Sequence, residues 1–583
     1  CGSGLVPVAL CMAVYRPCMK TNALRPLVLV LAVTLFGGLR AQDLATIKDQ
    51  RPYDHSGSLN IQGGPYLYTG DGNPRNQPWF WNANGQYTAR VYGWDIPFSF
   101  NVGSQERRYT QPFNRYGLSP HYKWIKLHLG YRSMKFNPYT LGGLQFLGGG
   151  VELDPKGFRF GAFYGRFNKP VAQDTLASIS PIPAYERTGF GVKIGVGTPR
   201  NFFDVMMVKV VDDPNSIPDV SGGRVAPMEN LAAGISGRVS FTRKLFLLFD
   251  AGASALTPDR LAPLKEVSDA PQFTNALFPT RIGTKALFAA GTGLTWTDRY
   301  LTVRINAKQV DPNYRSLAAV YVQNDLRSIT LEPTVRLFKN KLRLSGSIGR
   351  QEDNVRKQKL ATSVRTIGSA GISWNPSRSY GLDANYANYG IQQQAGLQVV
   401  NDTFRLALAN RSYNLTQRVV RASSSRVFTI TLALGLQQLQ DLNPYGTFAT
   451  SENEVLYGNF NIMRTRTSDN LSLSGGLNYT RNTAPSGTSI LIGPMIGASK
   501  QFAQQKMNAG VSLVLNQAYQ DDQPAGRTLN GNCNLQFRVN ASHRFSLTIT
   551  ALSDQTSFAA SRHFTEVRFL GGYTFLLQPI KRS

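Results

Sequence analysis

The sequence predicts an all-β fold: a transmembrane antiparallel up-and-down β-barrel of about 26 strands (22–26 covers the range), with short periplasmic turns and long outer loops. Three observations predict it. Apolar and polar residues alternate with period two in runs of about ten residues or more. The connections between those runs alternate between tight and long. An aromatic residue recurs where a strand leaves a tight turn.

Composition narrows the field before any motif is read. The chain has 583 residues, 63 Lys+Arg against 35 Asp+Glu, and a formal charge of +28. Only 17% is charged and 11% is aromatic, with 4 Cys. Soluble domains carry roughly 25% charged residues, and disordered chains lack aromatics. Glycine shows no period of three, which excludes collagen, and Cys is too scarce for a disulfide scaffold. Length alone suggests several soluble domains. The alternation runs through nearly the whole chain and argues for one membrane domain instead.

The first segment reads as a leader. From Met19 it runs through Lys20 and Arg25 into the apolar stretch Pro26 to Phe36, then to Ala41 and Gln42. A basic start, a short apolar run and a small residue at the cut describe a secretory signal peptide. The expected organisation is 1–41 removed, 42–57 a periplasmic leader, 58–578 the barrel and 579–583 a tail. Cys1, Cys11 and Cys18 would leave with the leader, so Cys533 stays alone and forms no internal disulfide.

The strands follow. In Leu301-Thr302-Val303-Arg304-Ile305-Asn306-Ala307-Lys308 one face is apolar and the other polar. Ile125 to Arg132 repeats the pattern, and Leu529 to Asn540 does so less cleanly. Successive strand side chains point to opposite sides, so each run is a two-faced ribbon. Soluble sandwich strands average about five or six residues; these are about twice that, enough to cross a bilayer at a tilt.

The connections are more specific. Tight polar turns are expected at 154–157, 197–201, 242–244, 297–299, 339–341, 376–379, 468–470 and 541–544. Long connections are expected at 168–183, 212–228, 257–283, 312–327, 351–362 and 437–453, alternating with the turns without a break. Trp124, Phe158, Phe202, Phe246, Tyr300, Tyr380 and Phe545 each open a strand after a tight turn and form the expected periplasmic aromatic girdle. The last run, His563 to Leu577, can close the barrel on the first, Ser58 to Tyr68, and so remove both sheet edges.

With these elements the chain resembles the large outer-membrane β-barrel proteins of the Bacteroidota type. The resemblance covers Gly57 to Leu577. It is carried by the Ala41-Gln42 start, Gly117-Leu118-Ser119-Pro120-His121-Tyr122-Lys123-Trp124 with Gly142 to Gly150 after it, and Val310-Asp311-Pro312-Asn313-Tyr314-Arg315-Ser316-Leu317. It implies location more than activity.

Chemistry-bearing motifs are sparse. There is no phosphate loop, no His-Glu-x-x-His and no paired Cys ligands; no cofactor, no metal and no catalytic residues are expected. Gly148-Gly149-Gly150 fits close packing in a strand. His128 beside a serine would be the only hydrolase reading, and a solvated His is the plainer one. Lys and Arg alternate with apolar residues instead of clustering, which speaks against nucleic acid as a partner. Lys126, His128, Arg132, Arg304, Lys308, Arg343, Arg405, Arg538 and Arg568 are the candidate lumen-lining residues. The partners expected are outer-membrane lipid, including anionic lipopolysaccharide, and an envelope protein that plugs or uses the barrel.

Two function classes follow: a porin-like channel, occluded by loops or by a partner, or a non-conducting structural or secretion-accessory barrel. A circular barrel of about 26 strands is on the order of 50 Å across, too wide for side chains to fill. The proline-rich segment 257–283 is the expected inward-folded loop. The orientation is testable in a Cys533→Ser background: an impermeant thiol reagent on intact cells should label Ala270→Cys and miss Lys341→Cys. The reverse pattern refutes it.

Overall fold

The computed structural model describes residues 52–104, 110–173, 182–218, 225–265, 277–319, 322–359, 361–395, 407–441, 451–556 and 562–579. The signal-peptide reading falls outside these residues. Among them no helix is long and apolar enough to cross a membrane; the chain crosses with strands.

The strands run in chain order. The first five are β1 (Tyr53–Gly70), β2 (Trp79–Val91), β3 (Trp94–Gly103), β4 (Arg115–Leu118 and, after a break, His121–Tyr122) and β5 (Ile125–Lys135). Next come β6 (Gly142–Leu153), β7 (Phe158–Asn168), β8 (Glu186–Thr198), β9 (Asn201–Asp213), β10 (Glu229–Ser240) and β11 (Leu245–Thr257). They are followed by β12 (Lys285–Thr297), β13 (Leu301–Val310), β14 (Leu326–Leu337), β15 (Leu342–Glu352) and β16 (Ala361–Ser377). Then β17 (Tyr380–Ala395), β18 (Ala407–Ala422), β19 (Arg426–Asp441), β20 (Asn453–Arg466) and β21 (Leu471–Ala484). The last are β22 (Gly487–Phe502), β23 (Met507–Gln520), β24 (Gln523–Arg538), β25 (His543–Thr556) and β26 (Arg562–Leu577). Counting the two pieces of β4 as one, the barrel has 26 strands. The break in β4 falls at Ser119-Pro120, where proline withholds a ladder donor.

Every neighbouring pair is antiparallel, and β1 pairs with β26 from Gly57↔Leu577 to Gly70↔Phe564. The sheet is therefore closed. Closure gives every strand two partners, the only way a sheet can satisfy its backbone groups in hydrocarbon.

The register separates two faces. Large apolar side chains such as Tyr164 (67% exposed), Ile496 (64%) and Phe288 (60%) crowd one face and touch no protein across it. Asp204, Arg187, Asn230, Glu332 and Asn459 alternate with them on the other, polar face. In an outer-membrane barrel the apolar face meets lipid.

Three expectations need correction. The tight turn expected at 541–544 lies at 539–542, with His543 and Arg544 already in β25. Long and short connections do not alternate throughout: on the long-loop side, Pro485-Ser486 and Asp521-Asp522 are two-residue hairpins. Asp521 (φ 46) and Asp522 (φ 63) are both left-handed, as a primed turn requires and as Asp tolerates. Lastly, strand length is uneven. From β2 to β15 no strand exceeds 13 residues, whereas from β16 to β26 none is shorter than 14. At about 3.4 Å per residue and a tilt near 40°, the longer strands outreach a hydrophobic band of about 25 Å.

The closure is testable. With Cys533→Ser, the directly opposed pair Ile61→Cys and Tyr573→Cys should form a disulfide on mild oxidation and shift the unheated band. Ile61→Cys with Phe569→Cys should not. Equal cross-linking of both pairs refutes the register.

Candidate functional site

The buried core of the barrel is not spread round its wall. It gathers where two outer connections fold onto the polar face of β6–β13. One is 136–141, between β5 and β6; the other is 311–325, between β13 and β14, described apart from residues 320 and 321. Met134, Phe136, Leu141, Phe146, Phe163, Phe167, Met206, Val208, Val210, Leu317 and Ala318 form one cluster. Tyr139, Leu287, Ala289, Val310 and Tyr314 form a second.

Glycine makes the seat. A Cβ at Gly252 would lie 2.7 Å from Tyr139 Cβ and 2.8 Å from Tyr314 Oη, and one at Gly291 would lie 2.7 Å from Tyr139 Oη. At Gly161 it would lie 3.2 Å from the Phe136 ring, and at Gly234 2.8 Å from Asn137 Nδ2. Gly150 gives way in the same manner to Met134 Sδ, at 2.5 Å. A trough of missing side chains across β6, β7 and β10–β12 thus receives the aromatic rings of the two connections. Gly252 and Gly291 lie mid-strand, so Tyr139 reaches well below the rim.

Hydrogen bonds fix the two segments to the wall and to each other. Asn137 Nδ2 donates to the carbonyls of Ile235 (3.3 Å) and Ala251 (3.0 Å), while its Oδ1 accepts from the amides of Tyr139 (2.9 Å) and Thr140 (2.8 Å). The Tyr314 hydroxyl donates to Tyr139 O (2.8 Å) and Ser316 Oγ to Thr140 O (2.7 Å). Ser254 Oγ on β11 donates to Arg315 O (2.7 Å), and Leu317 N donates to Asn230 Oδ1 on β10 (3.0 Å). Asn137, Asn230, Ser254, Tyr314 and Ser316 are matched in this way; buried without a partner, each would cost about 1–3 kcal/mol. Burial, with the Asp250 charge nearby, pushes the Tyr139 phenol up to about 12. It stays neutral throughout the physiological range.

A third connection, 353–360, clamps the second segment. Arg356 pairs with Asp311 at 2.6 Å, and Asp311 also accepts from Phe288 N at 2.8 Å. Lys359 pairs with Asp325 at 2.5 Å and with Asp353 at 3.1 Å. Burial works against ionising Asp325, but hydrogen bonds from Lys359 and the amides of Val355 and Asn354 outweigh it and hold the carboxyl below its ordinary value.

Of the segment 257–283, the expected inward-folded loop, only the two ends are described. Its described part is an arm at the rim, with Leu264 bridged to Arg281 and Ile282 N donating to Pro263 O (3.0 Å). Leu261 (69%) and Leu264 (63%) are exposed; residues 266–276 lie outside the described residues. The inward position belongs to 136–141, too short and too ordinary in composition to stand out in the sequence.

The candidate polar-face residues fall into groups. His128 is buried on β5, with Nε2 2.6 Å from Glu152 Oε1, and Lys126 reaches the same oxygen at 3.6 Å. Arg132 donates to Ser99 Oγ (2.8 Å) and to Gly117 O. Arg304 faces Glu332 at 3.8 Å. Lys308 lies opposite Gly291, Arg343 directly opposite Arg336, and Arg538 opposite Arg544. Arg568 stacks on Phe80, 4.2 Å from the ring centroid. Arg405 lies outside the described residues. Among the described residues no three His, Cys, Asp or Glu side chains are grouped to hold a metal ion.

The aromatic set is divided. Tyr380 packs edge-on to Trp374 at 5.6 Å, and Phe545 against Tyr573 at 5.0 Å, on the apolar face; Phe158 shares that face with Phe160. Phe202 and Phe246 depart from the girdle expectation. They stand on the polar face beneath Arg159 (4.4 Å) and Arg238 (4.2 Å), because each is the second residue of its strand and Phe203 and Leu247 take the apolar side. Trp124 and Tyr300 sit within the turns.

No family model matches the sequence, and no curated protein is significantly similar to it. Solved structures that share general architecture include Acinetobacter baumannii OccAB2 (9% identity, TM-score 0.29, covering 60% of this chain and 93% of that one). The copper transporter OprC is 8% identical (TM-score 0.38, 90% and 80% covered), and the siderophore receptor PirA from Pseudomonas aeruginosa is 10% identical (TM-score 0.35, 91% and 81% covered). Likeness of this strength is silent about activity. The chain's own closed sheet and apolar outer band define it as a large outer-membrane β-barrel.

The clamp sets a pH dependence. A carboxyl held below its ordinary value contributes above about pH 4 and loses its contribution as pH falls through its lowered value. Acidification below about pH 4 should therefore free 311–325 to added acid-active protease, while the barrel itself stays intact. Asp325→Asn should show the same cleavage at pH 7. Resistance of that variant would refute the clamp.

Proposed function

We propose that this protein is a porin-like channel of the outer membrane, its polar face lining an aqueous bore and its N-terminal sector occluded by its own connections 136–141 and 311–319. The observation that carries the reading is the confinement of the packed core. Both apolar clusters and the glycine trough lie between residues 134 and 318. No comparable cluster packs on the polar face of β16–β26 among the described residues. A wall of 26 strands encloses far more width than side chains can fill. A bore half packed and half bare is a channel with a built-in constriction.

The candidate wall cations, Lys126, Arg132, Arg304, Lys308, Arg343, Arg538 and Arg568, give this bore an anion preference only where they stand unpaired. Lys126 and Arg304 already face carboxylates. A mild preference is the reading that fits, set by Lys308 and by the Arg336–Arg343 neighbours. Kinship with the Bacteroidota-type barrels and contact with anionic lipopolysaccharide belong to the same proposal. The alternative class is a non-conducting barrel that binds other envelope proteins.

Planar-bilayer recording of the purified chain decides between them. Discrete open steps in KCl are expected, and replacing 136–141 by a Gly-Ser linker should raise the unitary conductance and sensitise cells to bulky antibiotics. Silence from both proteins, together with an envelope protein that co-purifies with the barrel, would establish the alternative.

A further inference from the structure

We infer that the bare sector of the wall is a contact surface for neutral polyhydroxylated solutes, namely saccharides of a few units. The inference rests on the channel reading above and specifies what passes.

The chain carries a formal charge of +28, yet four consecutive strands, β20 to β23, keep charge off one face. Asn459 on β20 lies opposite Asn478 on β21, which lies opposite Gly493 on β22. A Cβ at Gly493 would run into the amide of Asn516 of β23 and lie 3.5 Å from Asn478 Cβ, so Asn516 reaches over that glycine toward Asn478. Reading β20 to β23 by alternate residues from these positions meets Asn, Ser, Thr, Gln, Gly, Tyr, Met, Val, Leu and Ala, and no Lys, Arg, Asp or Glu. Their basic residues, Arg464, Arg466, Arg481 and Lys500, are all on the alternate positions. The same layer continues backwards. The Tyr457 hydroxyl reaches across Gly435 to Asn414 Oδ1, and Asn414 lies opposite Asn385. The result is a belt spanning seven consecutive strands, β17 to β23, with amides on five of them and glycines on β19 and β22.

Strand formation does not account for it. Asparagine is among the residues strands disfavour, and Ser or Thr would hydrate a polar wall at less cost. What amides add is a donor and an acceptor on one rigid group, which matches a pair of adjacent hydroxyls. Their present bonds are to one another: Asn459 with Asn478, Tyr457 with Asn414, and Asn516 Nδ2 with Thr528 Oγ1 at 3.2 Å. A hydroxyl can replace such a bond with little net change, so a solute can be held weakly and released. Tyr457 lies across Gly435 with 39% of its surface exposed, leaving its ring available to the C–H face of a sugar. An uncharged wall offers ions no comparable partner.

Maltohexaose added to the full-length protein in a planar bilayer with KCl tests this. Transient current interruptions that saturate with sugar are expected. Asn459→Ala with Asn478→Ala should raise the half-blocking concentration about tenfold, as two hydrogen bonds are lost. Tyr457→Leu should raise it and Tyr457→Phe should leave it nearer the parent, with folding checked by heat-modifiable mobility. KCl steps without interruptions, or interruptions indifferent to all these variants, overturn the inference and leave the channel reading standing. Absence of KCl steps removes the channel reading and this inference together.

Discussion

A backbone amide inside hydrocarbon has no water to turn to, and that constraint organises this molecule. It requires each strand to have two neighbours, so the first strand must find the last, across more than five hundred residues of chain. It requires the strands to be long, alternating and without free edges. Once 26 strands are accepted, a second consequence is unavoidable: the ring is too wide to be filled by its own wall. What occupies the interior then has to come from the connections.

The wall is prepared for that on one side only. Glycines at 150, 161, 234, 252 and 291 remove side chains where the end of β5 carries Met134 and the connections carry Phe136, Asn137, Tyr139 and Tyr314. The seat and the segments that fill it therefore depend on each other. Large rings without the glycines would collide with the wall, and the glycines without the rings would leave bare backbone facing the bore. The charged pairs Arg159–Asp204 and Arg187–Asp212, both at 2.7 Å, lie in this same half of the barrel. In the other half, the same face of β20 to β23 carries amides and no charged residue.

The architecture was legible in the sequence because a two-faced strand writes its faces directly into alternate residues. Runs such as Leu301 to Lys308 show both sides at once, and turns such as Asp154 to Gly157 are marked by their own chemistry. The interior was not legible. The inward segment 136–141 has no unusual composition, and its partners at Gly252 and Gly291 are more than a hundred residues away. Proline content pointed instead to 257–283, which marks irregular backbone but not its destination. The face of Phe202 and Phe246 is hidden from the sequence for a simpler reason. A strand that starts one residue earlier reverses which side chain looks outward, and boundaries are the part of a strand that alternation specifies least. The hairpins at Pro485-Ser486 and Asp521-Asp522 were missed because only two residues separate their strands.

The uneven strand lengths have a mechanical reading. Where strands of 13 residues or fewer end, the outer rim is continued by connections. Where strands of 14 to 17 residues continue, hydrogen bonds run on past the lipid, and two of the hairpins there have almost no slack. One side of the mouth is thus raised by its strands and the other by its connections. The connections that form the constriction all spring from the side where strands are short, so the part of the rim built of connections is the part joined to what fills the bore.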